Sequence, residues 1–411
     1  MTALPSPHHP RIPDPASRDG GHHLSAHFSG VGPAAPPRAP RKRHTRLVLG
    51  ILGGAAVIAA LAITQVSANL GYDAAAESHA DAVASASSEK TLLRGENSDL
   101  QAVTESAQLI LDSENEAITV DPAAEEALVS AVAEADGAAQ AAEELIARDI
   151  PVAGDKPTWF WELFGETGRL DQERADALQY ADDLTAEAAD LFDASDAVTE
   201  SGTSLIATTG EKATAFEKAH LSTRNDAVIA LRGAAADAIA TTTIDETAVT
   251  TYSALQSAAA QVVSAEKAEL AEKSGPLMNA RLEIEAFARS LAPGVLLEFD
   301  WAPIVNGAGY NGSMGGYTTW WWDDPGRSVI ELSNSVAEQW PADRSKALVA
   351  HEVGHAISVK CEDMYDSSTQ DSIEKWATAW AISMGFSDDA NGVWAYGYPP
   401  QNYIDAAKKC R

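Results

Sequence analysis

Apolar residues recur every seven positions at Leu170, Ala177, Leu184, Leu191, Val198 and Leu205. That spacing keeps one stripe of a long helix turned toward a partner. The same helical period runs through Leu93, Leu100, Val103, Ala107 and Ile110, and through Leu128, Val132, Ala135, Ala142 and Leu145 after an Asp121-Pro122 start. It returns at Tyr252, Leu255, Ala259 and Val262. Stripes so rich in alanine predict closely packed antiparallel helices, or a coiled-coil-like stalk open to self-association, across residues 68–292. Leu47 to Val66 differs, because it carries no charge and is long enough to span a bilayer. Beyond residue 292 the period shortens. Val295 to Trp301, Tyr317 to Trp322 and Ser328 to Leu332 read as strands, the last two joined by the turn Asp323-Asp324-Pro325-Gly326. Helical spacing then resumes at Ala347, Leu348, His351, Gly354, His355 and Ser358. A second such stripe is Ile373, Trp376, Ala377, Trp380, Ala381 and Met384.

Charge and composition add a topology. Arg41, Lys42, Arg43 and Arg46 directly precede the apolar run, and no basic residue occurs after it before Lys90. The positive-inside rule therefore predicts a transmembrane signal-anchor over 47–67, with the N-terminus cytoplasmic and the rest extracytoplasmic. Val66-Ser67-Ala68 also resembles a small-x-small cleavage site, so a cleaved signal peptide is the competing reading. Residues 1–46, rich in Pro, His, Gly and Ser, are expected to be a disordered cytoplasmic tail. That tail holds seven basic and two acidic residues, so the net −31 of the whole chain understates the acidity of residues 47–411. Such acidity argues against nucleic acid as a partner. The cluster Trp159-Phe160-Trp161-Glu162-Leu163-Phe164 interrupts the alanine-rich pattern. It reads as a hairpin plug between long helices, with an interfacial contact or a membrane-dipping loop as the alternatives.

Candidate chemistry is concentrated in residues 293–411. His351-Glu352-Val353-Gly354-His355 places two imidazoles four residues apart on one helix face, where both reach one metal ion. Glu352 beside the first is placed to take a proton from water at that ion. The Trp340-Pro341-Ala342-Asp343 stretch predicts the helix start, with Pro341 at a first helical position. Gly354 inside this helix costs about 1 kcal/mol against alanine, which predicts close approach by another backbone. No histidine occurs after His355, so a carboxylate is needed to complete the site. Glu374, beside Ala377 and Ala381 on the second helix, is the leading candidate. A helix-capping role with Asp371 is its alternative, and Glu362, Asp363 and Asp366 are other ligand candidates. The only two cysteines, Cys361 and Cys410, lie in the part expected outside the cell, where a disulfide is the default. A thiolate ligand at Cys361 is the alternative.

The HExxH helix with Glu374 downstream resembles the gluzincin branch of the zincin metallopeptidases over roughly the last 120 residues. The resemblance implies an α+β zincin-like domain, a small mixed sheet plus the HExxH helix, with Zn²⁺ held by His351, His355 and Glu374 and with Glu352 as general base. It implies an edge strand over the metal that pairs with an extended peptide, and Tyr317 to Trp322 is the candidate; an ordinary hairpin with its aromatics in the core is the alternative. In thermolysin-type members an aspartate four residues after the glutamate orients a histidine, and here Thr378 stands there. An oxyanion donor is also required, for which Tyr365, Tyr396, Tyr398 and Tyr403 are candidates. The expected function is membrane-anchored, zinc-dependent hydrolysis of a peptide or protein substrate at the cell surface. The alternative is a non-catalytic envelope scaffold with a metal-binding domain.

Overall fold

A computed structural model describes residues 45–113 and 117–411, with side chains from residue 54 onward. The proposed cytoplasmic tail up to residue 44, including Arg41, Lys42 and Arg43, lies outside the described residues. Among the described residues the chain is mostly helical, with one small three-stranded mixed sheet. Contacts divide it into two units, Met1–Ser67 and Ala68–Arg411.

In the first unit the described residues form the start of a long helix, α1 (Thr45–Leu111). Val57, Ile58, Leu61, Ile63 and Val66 are exposed along it. An apolar helix that buries none of these side chains is unlike a core helix, and it is long enough to cross a membrane.

The second unit begins with the remainder of α1 and continues through α2 (Pro122–Ile146), α3 (Phe160–Glu211), α4 (Ala213–Ala219), α5 (Asn225–Ile239), α6 (Glu246–Glu272) and α7 (Met278–Leu291). Asp121 caps α2 by accepting from Ala123 N, as the Asp-Pro start predicts. Helices α1 and α2 run antiparallel, since Lys90 bonds the Arg148 carbonyl and Gln101 bonds Glu143. Helices α2 and α3 do the same, with Tyr180 donating to the Leu145 carbonyl while Leu128 packs near Gly202. The seven-residue repeat from Leu170 to Val198 and Leu205 is buried throughout. Its members from Leu184 onward share one core with Leu93, Leu100, Leu128, Leu231, Leu255 and Val262. Within the chain these stripes pack antiparallel. The Trp159 to Phe164 cluster is not a plug. It forms the entry and first turn of α3, and Trp159, Trp161 and Phe164 are exposed while only Leu163 is fully buried.

After α7 come β1 (Leu296–Ala302), β2 (Gly316–Trp320) and β3 (Arg327–Ser333), in the spatial order β1-β3-β2. β1 pairs parallel with β3, and β2 pairs antiparallel with it, Thr318 facing Ile330. This leaves β2 at the edge. A short α8 (Asn334–Glu338) leads to α9 (Asp343–Ser358), and then come α10 (Gln370–Ser383), α11 (Val393–Tyr396) and α12 (Gln401–Ala407). Pro341 lies before α9 rather than in it, and the helix begins at Asp343. The core here takes Ile284 and Ala288 from α7, Phe299 and Ile330 from the sheet, Val349 and Val353 from α9, and Trp376 and Trp380 from α10. Packing that supports the motif helix therefore starts in α7, ahead of the first strand.

A buried ionic cluster ties the helices to the sheet. Lys273 lies 3.3 Å from Glu269 and 3.2 Å from Glu285, which also accepts from Trp301 Nε1. Asn225 donates its backbone N–H to Glu298 and its side-chain amide to the Ser328 carbonyl. Buried charges persist only when paired in this way.

The cysteines are bridged, Cys361 to Cys410, with Cα atoms 6.0 Å apart. This removes Cys361 as a metal ligand. Closing a loop of 49 residues contributes about 4 kcal/mol by the chain-entropy relation.

Candidate metal centre

Helix α9 is buried almost from end to end, which is unusual for a segment carrying two histidines and a glutamate. Its packing partner α10 comes close because Gly354 has no side chain. A Cβ there would sit 2.8 Å from the Ala377 carbonyl oxygen. The close approach predicted for Gly354 is thus made by α10, and it sets Glu374 opposite the histidines.

The structure brings His351, His355 and Glu374 together. Glu374 Oε2 is 3.2 Å from His351 Nε2 and 3.1 Å from His355 Nε2, and the two Nε2 atoms are 3.2 Å apart. All three residues are buried. The capping alternative for Glu374 does not hold, because Thr369 caps α10 through its hydroxyl, which accepts from Ser372 N. Glu362, Asp363 and Asp366 are exposed and outside the cluster.

The donor set fits a metal ion. His351 Nδ1 lies 2.9 Å from the Asn391 carbonyl. A carbonyl only accepts, so Nδ1 carries the proton and the Nε2 lone pair points at the other two donors. The His351 Nε2 lone pair and the Glu374 carboxylate, facing one another at this range, repel unless a proton or a cation lies between them. Ligands about 2.1 Å from a tetrahedral ion are separated by roughly 3.4 Å, close to the spacing here. Gln370 Nε2 donates to Glu374 Oε1 at 2.8 Å, fixing the carboxylate's second oxygen. Burial works to raise the Glu374 pKa; with protons on the imidazoles in place of a cation, their hydrogen bonds and charge outweigh it and hold the group well below the usual carboxylate range, so the site favours a carboxylate facing positive charge.

Thr378 does not take over the orienting role of an aspartate. Its hydroxyl donates to the Glu374 carbonyl at 2.9 Å and stands 3.4 Å from His351 Nδ1. The Asn391 carbonyl takes that role instead. Gly392 allows it, having φ +105°, and a Cβ there would collide with Thr378 Oγ1 and the His351 ring.

Glu352 points the other way along the cleft, toward β2. Thr318 Oγ1 donates to its Oε2 at 2.7 Å, and Gly316 leaves room that any Cβ would take from its carboxylate. Burial raises the Glu352 pKa, partly opposed by His351 and by the Thr318 hydrogen bond. A carboxyl tuned upward in this way holds a proton more readily than an exposed one, as a group that takes up a proton and later returns it requires.

Two aromatic residues frame the cluster. Trp320 of β2 stacks on His355 with ring centroids 5.3 Å apart, and Tyr396 of α11 stacks on His351 at 5.8 Å. β2 thus lies over the histidines, and the aromatics of Tyr317 to Trp322 are not simply packed into the core: Tyr317 and Trp322 are exposed. Of the four tyrosine candidates only Tyr396 reaches the cluster. Burial and the charges of Glu374 and Glu352 push its pKa up to about 12, so its hydroxyl stays a donor. Tyr365 and Tyr403 pack around Trp376, and Tyr398 is exposed. Glu352, His351, His355, Glu374, Thr318 and Tyr396 all line one cleft of about 290 Å³.

Compared with protein-family models, with curated proteins and with solved structures, the chain matches none. The site's own chemistry is therefore the ground for assigning a function.

Proposed function

We propose that residues 293–411 form a zincin-like, gluzincin-type metallopeptidase domain, and that the apolar part of α1 anchors it to a membrane with the domain on the extracytoplasmic side. The observation that carries this reading is the convergence of His351 Nε2, His355 Nε2 and Glu374 Oε2 within 3.2 Å of one another, with the Glu352 carboxylate in the same cleft. Two imidazoles and one carboxylate suit zinc, and three protein ligands are the number that catalytic zinc sites use. When bound, the ion supplies Lewis acidity toward a carbonyl oxygen and makes water more acidic.

The chain's own residues account for the remaining tasks. Glu352, held by Thr318, accepts a proton from the attacking water and delivers it to the leaving amine. Tyr396 donates a hydrogen bond to the oxygen that gains charge. The free edge of β2 offers backbone groups to an extended peptide lying along the cleft. The acidic, disulfide-bridged part of the chain suits an extracytoplasmic location.

The direct test is a peptide-library digest by the purified full chain and by Glu352→Ala. The reading predicts cleavage by the wild type and a loss of about 10²–10⁴-fold in the variant, with metal content unchanged. No cleavage by a zinc-loaded wild type would favour the scaffold reading.

A further inference from the structure

Three large rings stand in solvent at the start of α3. Trp159, Trp161 and Phe164 are 54%, 57% and 55% exposed. Trp159 and Trp161 stack with centroids 5.2 Å apart, and Phe160 meets Trp161 and Phe164 edge-on. Scattered apolar residues on a surface are ordinary, whereas a stacked group of this size marks a contact with something. The cluster is firmly seated. On the other side of the same helical turn Leu163 is buried, and with Leu170 it forms a small core against Ala68, Tyr72 and Ala75. Lys156 reinforces this junction, with Nζ 2.6 Å from Asp73 and 5.5 Å from the centre of the Tyr72 ring.

Ala68 and Tyr72 are the clue to the occupant. They come after Val66, the end of the apolar run, within about two helical turns of chain. The part of α1 that holds the aromatic cluster is therefore the part that emerges first from any bilayer the run crosses. We propose that Trp159, Trp161 and Phe164 insert into the interfacial layer of that same membrane and seat residues 68–75 and 159–170 on its surface. Tryptophan suits this layer, because its ring is largely apolar while its N–H can remain among headgroups and water. Charge does not drive the contact. Glu162 and Glu166 share the turn with the rings and oppose adhesion to anionic lipid, so ring burial supplies the attraction and salt does little to it. The proposal rests on the reading that the apolar run spans a membrane, and it is independent of the metal chemistry.

The test uses the full chain reconstituted into phosphatidylcholine vesicles, with bromine placed on the acyl chains either near the glycerol or near the terminal methyl. Shallow bromines are expected to quench part of the tryptophan emission, at low and high salt alike. The quenching should be lost in W159F/W161F, since every other tryptophan lies between Trp301 and Trp394. Both substituted rings are exposed, and circular dichroism checks that the fold is kept. Equal quenching in wild type and variant, with both retained through alkaline extraction, would overturn the interfacial contact alone. Release of the wild-type chain by alkaline extraction would overturn the membrane span and this proposal together.

Discussion

At the scale of single residues, the cleft separates three side chains that could share one ion from a carboxyl turned toward the edge strand. His351, His355 and Glu374 face one point, while Glu352 is turned toward Thr318 on the edge strand. This division is a consequence of helix geometry, since residues four apart share a face and the residue after His351 is rotated by about 100°. Tyr396 is the one oxyanion-donor candidate that the fold brings to the cleft. Its hydroxyl stays protonated at neutral pH, because burial and two neighbouring carboxylates raise its pKa to about 12. If it stabilises developing negative charge, Tyr396→Phe should lower kcat by about 10²–10³-fold and leave zinc content unchanged. A change only in KM, measured by steady-state kinetics on a peptide substrate, would reassign it to substrate binding. Sequence spacing identified the two histidines because periodicity encodes which side chains share a helix face. It could not single out Tyr396 from four tyrosines, because that choice depends on where the chain after α10 turns back at Gly392.

Among elements, the contact between α9 and α10 controls the site. Gly354 lies against the Ala377 backbone, and Glu374 is about one turn before Ala377 on the same helix. Alanine at 354 would favour α9 by about 1 kcal/mol in intrinsic propensity. The added Cβ would nonetheless force the helices apart and draw Glu374 from the histidines. Gly354→Ala should therefore weaken zinc binding about 10–100-fold in a chelator competition, the size of effect seen when groups that position a ligand are disturbed. Unchanged affinity would show that the helix contact does not set the ligand geometry. The need for a small residue here was legible in the chain, since glycine inside an otherwise apolar helix face has a cost that close packing offsets. The capping of α10 was less so: Thr369, Asp371 and Glu374 all carry capping chemistry, and only tertiary contacts with the histidines decide which one caps. The aromatic run at Trp159 shows the same limit. Its composition suggests burial, but only the position of α1 beside α3 determines which of its rings are covered.

Over the whole chain, the described residues combine an exposed apolar helix segment, an antiparallel helical region and a small mixed sheet packed beside the helix of His351 and His355. Strand and helix periods marked these regions in the sequence. The ionic cluster around Lys273 and Glu285 was not visible there, because long-range pairing leaves no local pattern. Orientation rests on charge asymmetry alone, with Arg41, Lys42, Arg43 and Arg46 on one side of the apolar run and no basic residue on the other before Lys90. Protease added to intact cells should remove a C-terminal tag and spare an N-terminal one. A mature protein that begins near Asn69 and appears free in the medium would show instead that the apolar run is a cleaved signal peptide.

The most direct measurement on the central claim is the metal content of the full chain, purified without chelators and read by inductively coupled plasma mass spectrometry. The account predicts one zinc per chain, retained in Glu352→Ala and lost in His355→Ala and Glu374→Ala. A wild-type chain that binds no zinc when the metal is supplied, or zinc that stays bound after both ligand substitutions, would contradict it.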